Sequence, residues 1–136
     1  MSPSRHPFLL VIEPSLTLRT LIDVTLRRQA RVSTNTFPVS WALFADPVPA
    51  LRAIYRERLP VPHLGLVCRD LPHLDGYAVM QHMQRRGYPT AFLVCLSAEQ
   101  DSPLERMKAH LAGARATLAK PYTVQQLLAA LALMHT

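Results

Sequence analysis

Short apolar runs alternate with amphipathic stretches along the whole chain, and the alternation predicts five strands and five helices. Phe8-Leu9-Leu10-Val11-Ile12 is a continuous apolar run, the pattern of a strand buried on both faces. Ser15 then stands where a helix cap belongs, ahead of Leu18, Leu21, Ile22 and Leu26 at helical spacing. The polar stretch from Arg31 to Pro38 predicts an irregular connection, and Val39-Ser40-Trp41-Ala42-Leu43-Phe44 a second strand. Asp46 is placed to cap a second helix with Leu51, Ile54 and Tyr55 on its inner face. Its Pro47 and Pro49 fall in the first turn, where a missing N–H costs little.

Leu64-Gly65-Leu66-Val67-Cys68 predicts a third strand, and Asp75-Gly76 opens a third helix through Val79, Met80 and Met83. Ala91 to Leu96 reads as the fourth strand. Ser102-Pro103-Leu104-Glu105 has the form of a capping box with proline at the first helical position. Leu104, Met107 and Leu111 then recur at i, i+3 and i+7, with Met107 read as core alongside Met80 and Met83, until Gly113 ends the helix. Ala116 to Ala119 is expected as a short fifth strand. Thr123 caps a last helix with Val124, Leu127, Leu128 and Leu131 inward. No repeat or low-complexity tract interrupts the order, so the fold class is α/β, a parallel sheet covered on both faces.

Composition narrows the choice. A chain of 136 residues, 49% hydrophobic and 18% charged, fits one domain with a real core, expected over residues 8–134 behind an N-terminal extension, 1–7. No apolar run approaches the roughly 18–20 residues of a membrane span, and Met1 to Pro7 lacks the form of a secretion signal. A cytoplasmic protein without a membrane partner is expected. Cys68 and Cys95 lie inside apolar stretches, unlike a secreted disulfide framework, and both are expected to be reduced. The net charge of +6 raises the question of nucleic acid. However, the arginines are scattered, only Arg27-Arg28 and Arg85-Arg86 being adjacent, and solvated helix faces explain them. Nucleic acid is not an expected partner. The second arginine pair ends a helix, where the dipole favours positive charge. His63 and His73 flank Cys68 at a spacing that fits no common zinc site, and exposed histidines are expected.

In open parallel sheets the working site lies at the carboxyl ends of the strands. Glu13-Pro14-Ser15 stands there after the first strand, Cys68-Arg69-Asp70 after the third, Ser97-Ala98 after the fourth and Lys120-Pro121 after the fifth. With Pro72-His73-Leu74-Asp75-Gly76, Leu96-Ser97-Ala98, and Gly113-Ala114 followed by Lys120-Pro121-Tyr122, this arrangement resembles the receiver domain of bacterial response regulators, over Phe8 to Met134. The resemblance implies a flavodoxin-like, doubly wound sheet of strand order 2-1-3-4-5. It also implies a site where a strand-end aspartate takes a phosphoryl group from a histidine kinase beside a Mg²⁺ ion, chemistry that is mostly positioning and charge.

On this resemblance Ser97 matches the hydroxyl position, Lys120 the lysine, and Glu13 the first member of the acidic pair. Three positions depart. Pro14 stands at the second acidic position, Cys68 at the phosphoacceptor, and Thr117 where an aromatic side chain joins Ser97 in the family's switch. Proline offers no side-chain oxygen, and a thiol is a poor Mg²⁺ partner. Glu13 and Asp70 remain as weak Mg²⁺ ligands, and no bound cofactor is expected.

The expectation is therefore a degenerate, non-enzymatic receiver that signals without phosphorylation. It would bind a protein partner or a second copy through the face of the fourth helix, fifth strand and fifth helix, from Leu104 to Leu131. A histidine kinase or an output domain is the other partner class implied. The alternatives are a working phosphoacceptor site using Mg²⁺ and Asp70, and a Cys68 redox or small-ligand sensor.

Overall fold

The computed structural model describes residues 7–32 and 40–135, of which the backbone alone is described at His135. The elements, in chain order, are β1 (Phe8–Ile12), α1 (Leu16–Val32), β2 (Ser40–Phe44), α2 (Pro47–Tyr55), β3 (Leu64–Cys68), α3 (Gly76–Arg85), β4 (Ala91–Leu96), α4 (Pro103–Leu111), β5 (Ala114–Ala119) and α5 (Val124–His135). All strand pairings are parallel, in the order β2-β1-β3-β4-β5. The fold is the flavodoxin-like, doubly wound arrangement expected.

Local chemistry accounts for where the helices begin. Each is opened by a side-chain oxygen that accepts a backbone N–H of the first turn: Ser15 from Leu18, Asp46 from Val48, Asp75 from Ala78, Ser102 from Glu105 and Thr123 from Gln126. Thr123 makes a full box, its own amide donating to Gln126 Oε1 at 2.8 Å. The Ser102 box is only half closed, because the Glu105 carboxylate turns to Tyr77 and Arg69.

The central strands bury both faces. On one side Leu10, Ile12, Val67, Phe92 and Val94 pack against Ala50, Leu51 and Ile54 of α2, Val79, Met80 and Met83 of α3, and Ala109 of α4. On the other, Leu9, Val11, Leu66, Cys68, Leu93 and Cys95 pack against Ile22 and Leu26 of α1 and Leu127, Leu131 and Met134 of α5. Each large side chain wholly buried here contributes about 1.5–3 kcal/mol relative to an exposed one.

Four expectations are corrected. Leu104, Met107 and Leu111 do not face the core; they are 63%, 60% and 82% exposed, and the buried residue of α4 is Ala109. Helical spacing locates an apolar stripe but cannot say whether the sheet or the solvent receives it, and this short helix lies against β5 through a small side chain. Arg31 and Val32 belong to α1 rather than to the following connection, while 33–39, Val39 of the expected strand included, lies outside the described residues. β5 begins at Ala114, before the expected Ala116. The register shifts opposite Phe92 and Leu93, leaving Arg115 exposed where it breaks the apolar run. His63 is half-buried, its Nδ1 accepting the Phe8 amide at 3.1 Å.

Candidate functional site

β1, β3 and β5 deliver Glu13, Cys68 and Lys120 to one place because β1 pairs with β3, Ile12 opposite Val67, and each carboxyl end is bonded to a neighbouring strand. The Glu13 amide donates to the Phe44 carbonyl at 2.9 Å, that of Arg69 to Cys95 at 3.0 Å, and that of Lys120 to Leu96 at 2.8 Å. Gly76 closes the β3–α3 loop over the end of β3, its amide 2.8 Å from the Arg69 carbonyl. A Cβ at this position would lie 2.2 Å from the Cys68 carbonyl oxygen, so the close approach demands glycine.

Glu13 is the centre of the cluster. Only 2% exposed, it spends both carboxylate oxygens on protein groups. Oε1 meets Lys120 Nζ at 2.7 Å and accepts the Cys68 thiol at 2.9 Å, while Oε2 accepts the Ser15 amide at 2.8 Å. Burial alone would lower the Lys120 pKa, but its hydrogen bond to the Glu13 carboxylate, the neighbouring Cys68 sulfur and the Glu13 charge outweigh it, leaving the ammonium raised above 10.5. The buried charge is thus paired and hydrogen-bonded. Arg19 Nη1 meanwhile donates to the carbonyls of Glu13 and Pro14, at 2.7 and 2.9 Å, pinning the turn after β1.

The other expected residues stand apart from this cluster in their bonding. The Asp70 side chain is 74% exposed and accepts from Gln100 Nε2 and, at 3.3 Å, from Arg69 Nη1. Ser97 is engaged with the same Gln100: its Oγ accepts the Gln100 amide at 3.2 Å and its amide donates to Gln100 Oε1 at 3.0 Å. Pro14 is exposed, and Thr117 is half-buried on β5 opposite Val94.

Sequence reasoning missed two participants, Gln100 and Tyr77, and gave Tyr122 no role beyond its motif. Gln100 links Ser97 to Asp70, and Ser97-x-x-Gln100 carried the reciprocal spacing of a capping box on a turn. Tyr77 donates to Glu105 at 2.6 Å and Arg69 pairs with Glu105 at 2.9 Å, joining α3 and the β3–α3 loop to α4, with nothing in the linear pattern to announce it. Tyr122 is 7% exposed and its hydroxyl lacks a protein hydrogen-bond partner. Burial raises its pKa first, and the neighbouring Cys95, Glu13 and Cys68 raise it further, so the phenol stays neutral.

These groups do not fit a hard-cation cage. One carboxylate is buried and already neutralised by an ammonium, proline contributes no side-chain oxygen, and sulfur is a soft donor. Among the described residues no group of three His, Cys, Asp or Glu side chains is placed to hold a metal ion. No helix among them is long and apolar enough to cross a membrane.

No family model and no curated protein sequence matches the chain. Solved structures do. The signal receiver domain of a LuxO repressor protein from Vibrio parahaemolyticus superposes with a TM-score of 0.78 at 21% identity, over 96% of this chain and 90% of that one. That of the response regulator NarL from Mycobacterium tuberculosis gives 0.74 at 21%, over 96% of each chain. The receiver domain of a sensor histidine kinase from Pseudomonas aeruginosa, which holds a magnesium ion in its active-site cleft, gives 0.73 at 20%, over 96% and 98%. The chain has the fold of these signal receiver domains.

Proposed function

We propose that this chain is a receiver-like signalling domain that acts through protein–protein contacts without aspartyl phosphorylation and without enzymatic activity of its own. One observation carries the reading. The single buried carboxylate of the site, Glu13, is consumed by Lys120, Cys68 and the Ser15 amide, with a thiol at the end of β3. Nothing in that arrangement offers a phosphoryl acceptor beside a cation-binding cage. The signal is instead carried by the face of α4, β5 and α5, where Leu104, Met107, Leu111 and Leu133 are exposed. Its occupant is a second copy of the chain or the apolar surface of an output domain or kinase.

Incubation with a small phosphodonor and Mg²⁺, followed by intact mass, tests the first half. No phosphoryl adduct is expected. An adduct that disappears on Asp70→Asn would establish the opposite reading, a working acceptor at Asp70.

The double change Pro14→Asp with Cys68→Asp tests the placement of the site. Restoring two carboxylates beside Glu13 rebuilds a hard-oxygen set, and Mg²⁺ binding should become measurable by calorimetry, each single change doing much less. Without metal the double variant should be less stable, because the new carboxylates crowd Glu13 with only Lys120 to offset them, and Mg²⁺ should return that loss by linkage. A double variant that binds Mg²⁺ no better than its parent means that these positions do not face one another.

A further inference from the structure

β3 and β4 place Cys68 directly opposite Cys95 in register, a pairing for which the proposed function has no use. Both thiols are free and buried, at 4% and 2% exposure, and both pack on the same side of the sheet in one cluster with Tyr122. Neighbouring strands lie roughly 4.8 Å apart, inside the Cα separation of roughly 4.4–6.8 Å that a disulfide spans. The surroundings are unusual for inert core cysteines. The Cys68 thiol donates to Glu13 Oε1, which also holds the Lys120 ammonium, and Lys120 keeps 26% of its side chain exposed. Tyr122 packs in the same cluster, its buried hydroxyl without a protein hydrogen-bond partner.

We propose that Cys68 and Cys95 form a dithiol that a peroxide oxidises to an intramolecular disulfide, Cys68 being the attacking thiol and Glu13 its proton acceptor. The two sulfurs have different settings. Cys95 is held protonated by its hydrogen bond with Cys68 and by burial, whereas Cys68 has a carboxylate and an ammonium within reach. Cys68 Sγ attacks one peroxide oxygen and the O–O bond breaks. The thiol proton passes through Glu13 to the leaving hydroxide, which departs as water and leaves a sulfenic acid. Cys95 Sγ then attacks Cys68 Sγ, the S–O bond breaks, and the Cys95 proton leaves with that hydroxyl as a second water. Overall two thiols are oxidised, one peroxide is reduced, and a dithiol reductant reverses the change. The disulfide removes the thiol that bonds Glu13, so the event is felt at the Glu13–Lys120 pair.

The test uses the folded chain, excess hydrogen peroxide and intact mass under non-reducing conditions. The expected product is lighter by about 2 Da, monomeric, and restored by dithiothreitol. Met107, 60% exposed, marks oxidant exposure in the same spectrum through its own gain of one oxygen. Cys95→Ala should stop at a Cys68 sulfenic acid that a cyclic 1,3-dione traps, while Cys68→Ala should leave Cys95 untrapped. Glu13→Gln, checked for folding by circular dichroism, should slow disulfide formation at least about tenfold. Oxidised Met107 with both thiols still alkylatable after unfolding would overturn the proposal. So would disulfide-linked dimers, or a bridge that includes Lys120 and adds about 14 Da rather than removing about 2 Da.

Discussion

At the scale of single residues, the cost of the buried pair is the sharpest handle. Removing one partner leaves the other charge without compensation, so Glu13→Gln and Lys120→Met should each destabilise the fold, and the double change should cost less than their sum. Lys120 remains partly exposed, so the loss on Lys120→Met should fall at or below about 3 kcal/mol, the lower end for breaking a buried pair. A raised lysine pKa gives a stability contribution fully present below the unfolded value of 10.5 and lost as pH rises through the higher folded value. Urea midpoints of the parent should therefore decline above that pH, and the gap to Lys120→Met should shrink there. Much of this site was legible in the sequence, because strand-end positions follow directly from the apolar runs: Glu13, Cys68 and Lys120 do converge. What was not legible is how the oxygens are shared. Asp70 is near in sequence to Cys68, but its side chain turns to the surface, where Gln100, 30 residues further along the chain, takes it.

At the scale of elements, caps and turns did most of the specifying. Ser15, Asp46, Ser102 and Thr123 were recognisable as helix starts because each precedes a periodic apolar set, and all of them cap as expected. The failures came where a pattern has two readings of equal local merit, as with the outward stripe of α4, or where an exposed residue such as Arg115 interrupts a strand. Gly76 is the element-level prediction. Its N–H bonds the Arg69 carbonyl and a Cβ there would run into the Cys68 carbonyl, so Gly76→Ala must displace backbone rather than a flexible side chain. A loss of at least about 1–3 kcal/mol is expected by chemical denaturation, despite alanine's better helix propensity. The change should also loosen the end of β3, read as faster alkylation of Cys68 in the native state. Unchanged stability in Gly76→Ala would mean that this loop has room that its geometry denies.

At the scale of the whole molecule, the two sides of the sheet are not equally served. α1 and α5 press Ile22, Leu26, Leu127, Leu131 and Met134 into one layer, and α2 and α3 do the same on the other. α4 contributes Ala109 alone, and turns its larger apolar side chains to solvent. Met107→Lys and Leu111→Lys should accordingly leave folding stability within about 0.5 kcal/mol of the parent. If the α4–β5–α5 face binds a second copy, the same changes should shift light-scattering mass toward the monomer. The uneven anchoring also sets a timetable for backbone opening. A helix held by its Ser102 cap, by Tyr77 and Arg69 on Glu105, by the His110 ring at the Ala114 carbonyl and by one buried alanine can lift away without unfolding the sheet. Its amide protons, from Arg106 to Ala112, should exchange with deuterium long before those of β1 and β3, whose exchange waits for global unfolding. Tyr77→Phe should hasten exchange in α4 alone. Uniform protection across α4 and the central strands would show instead that the molecule opens only as a single unit.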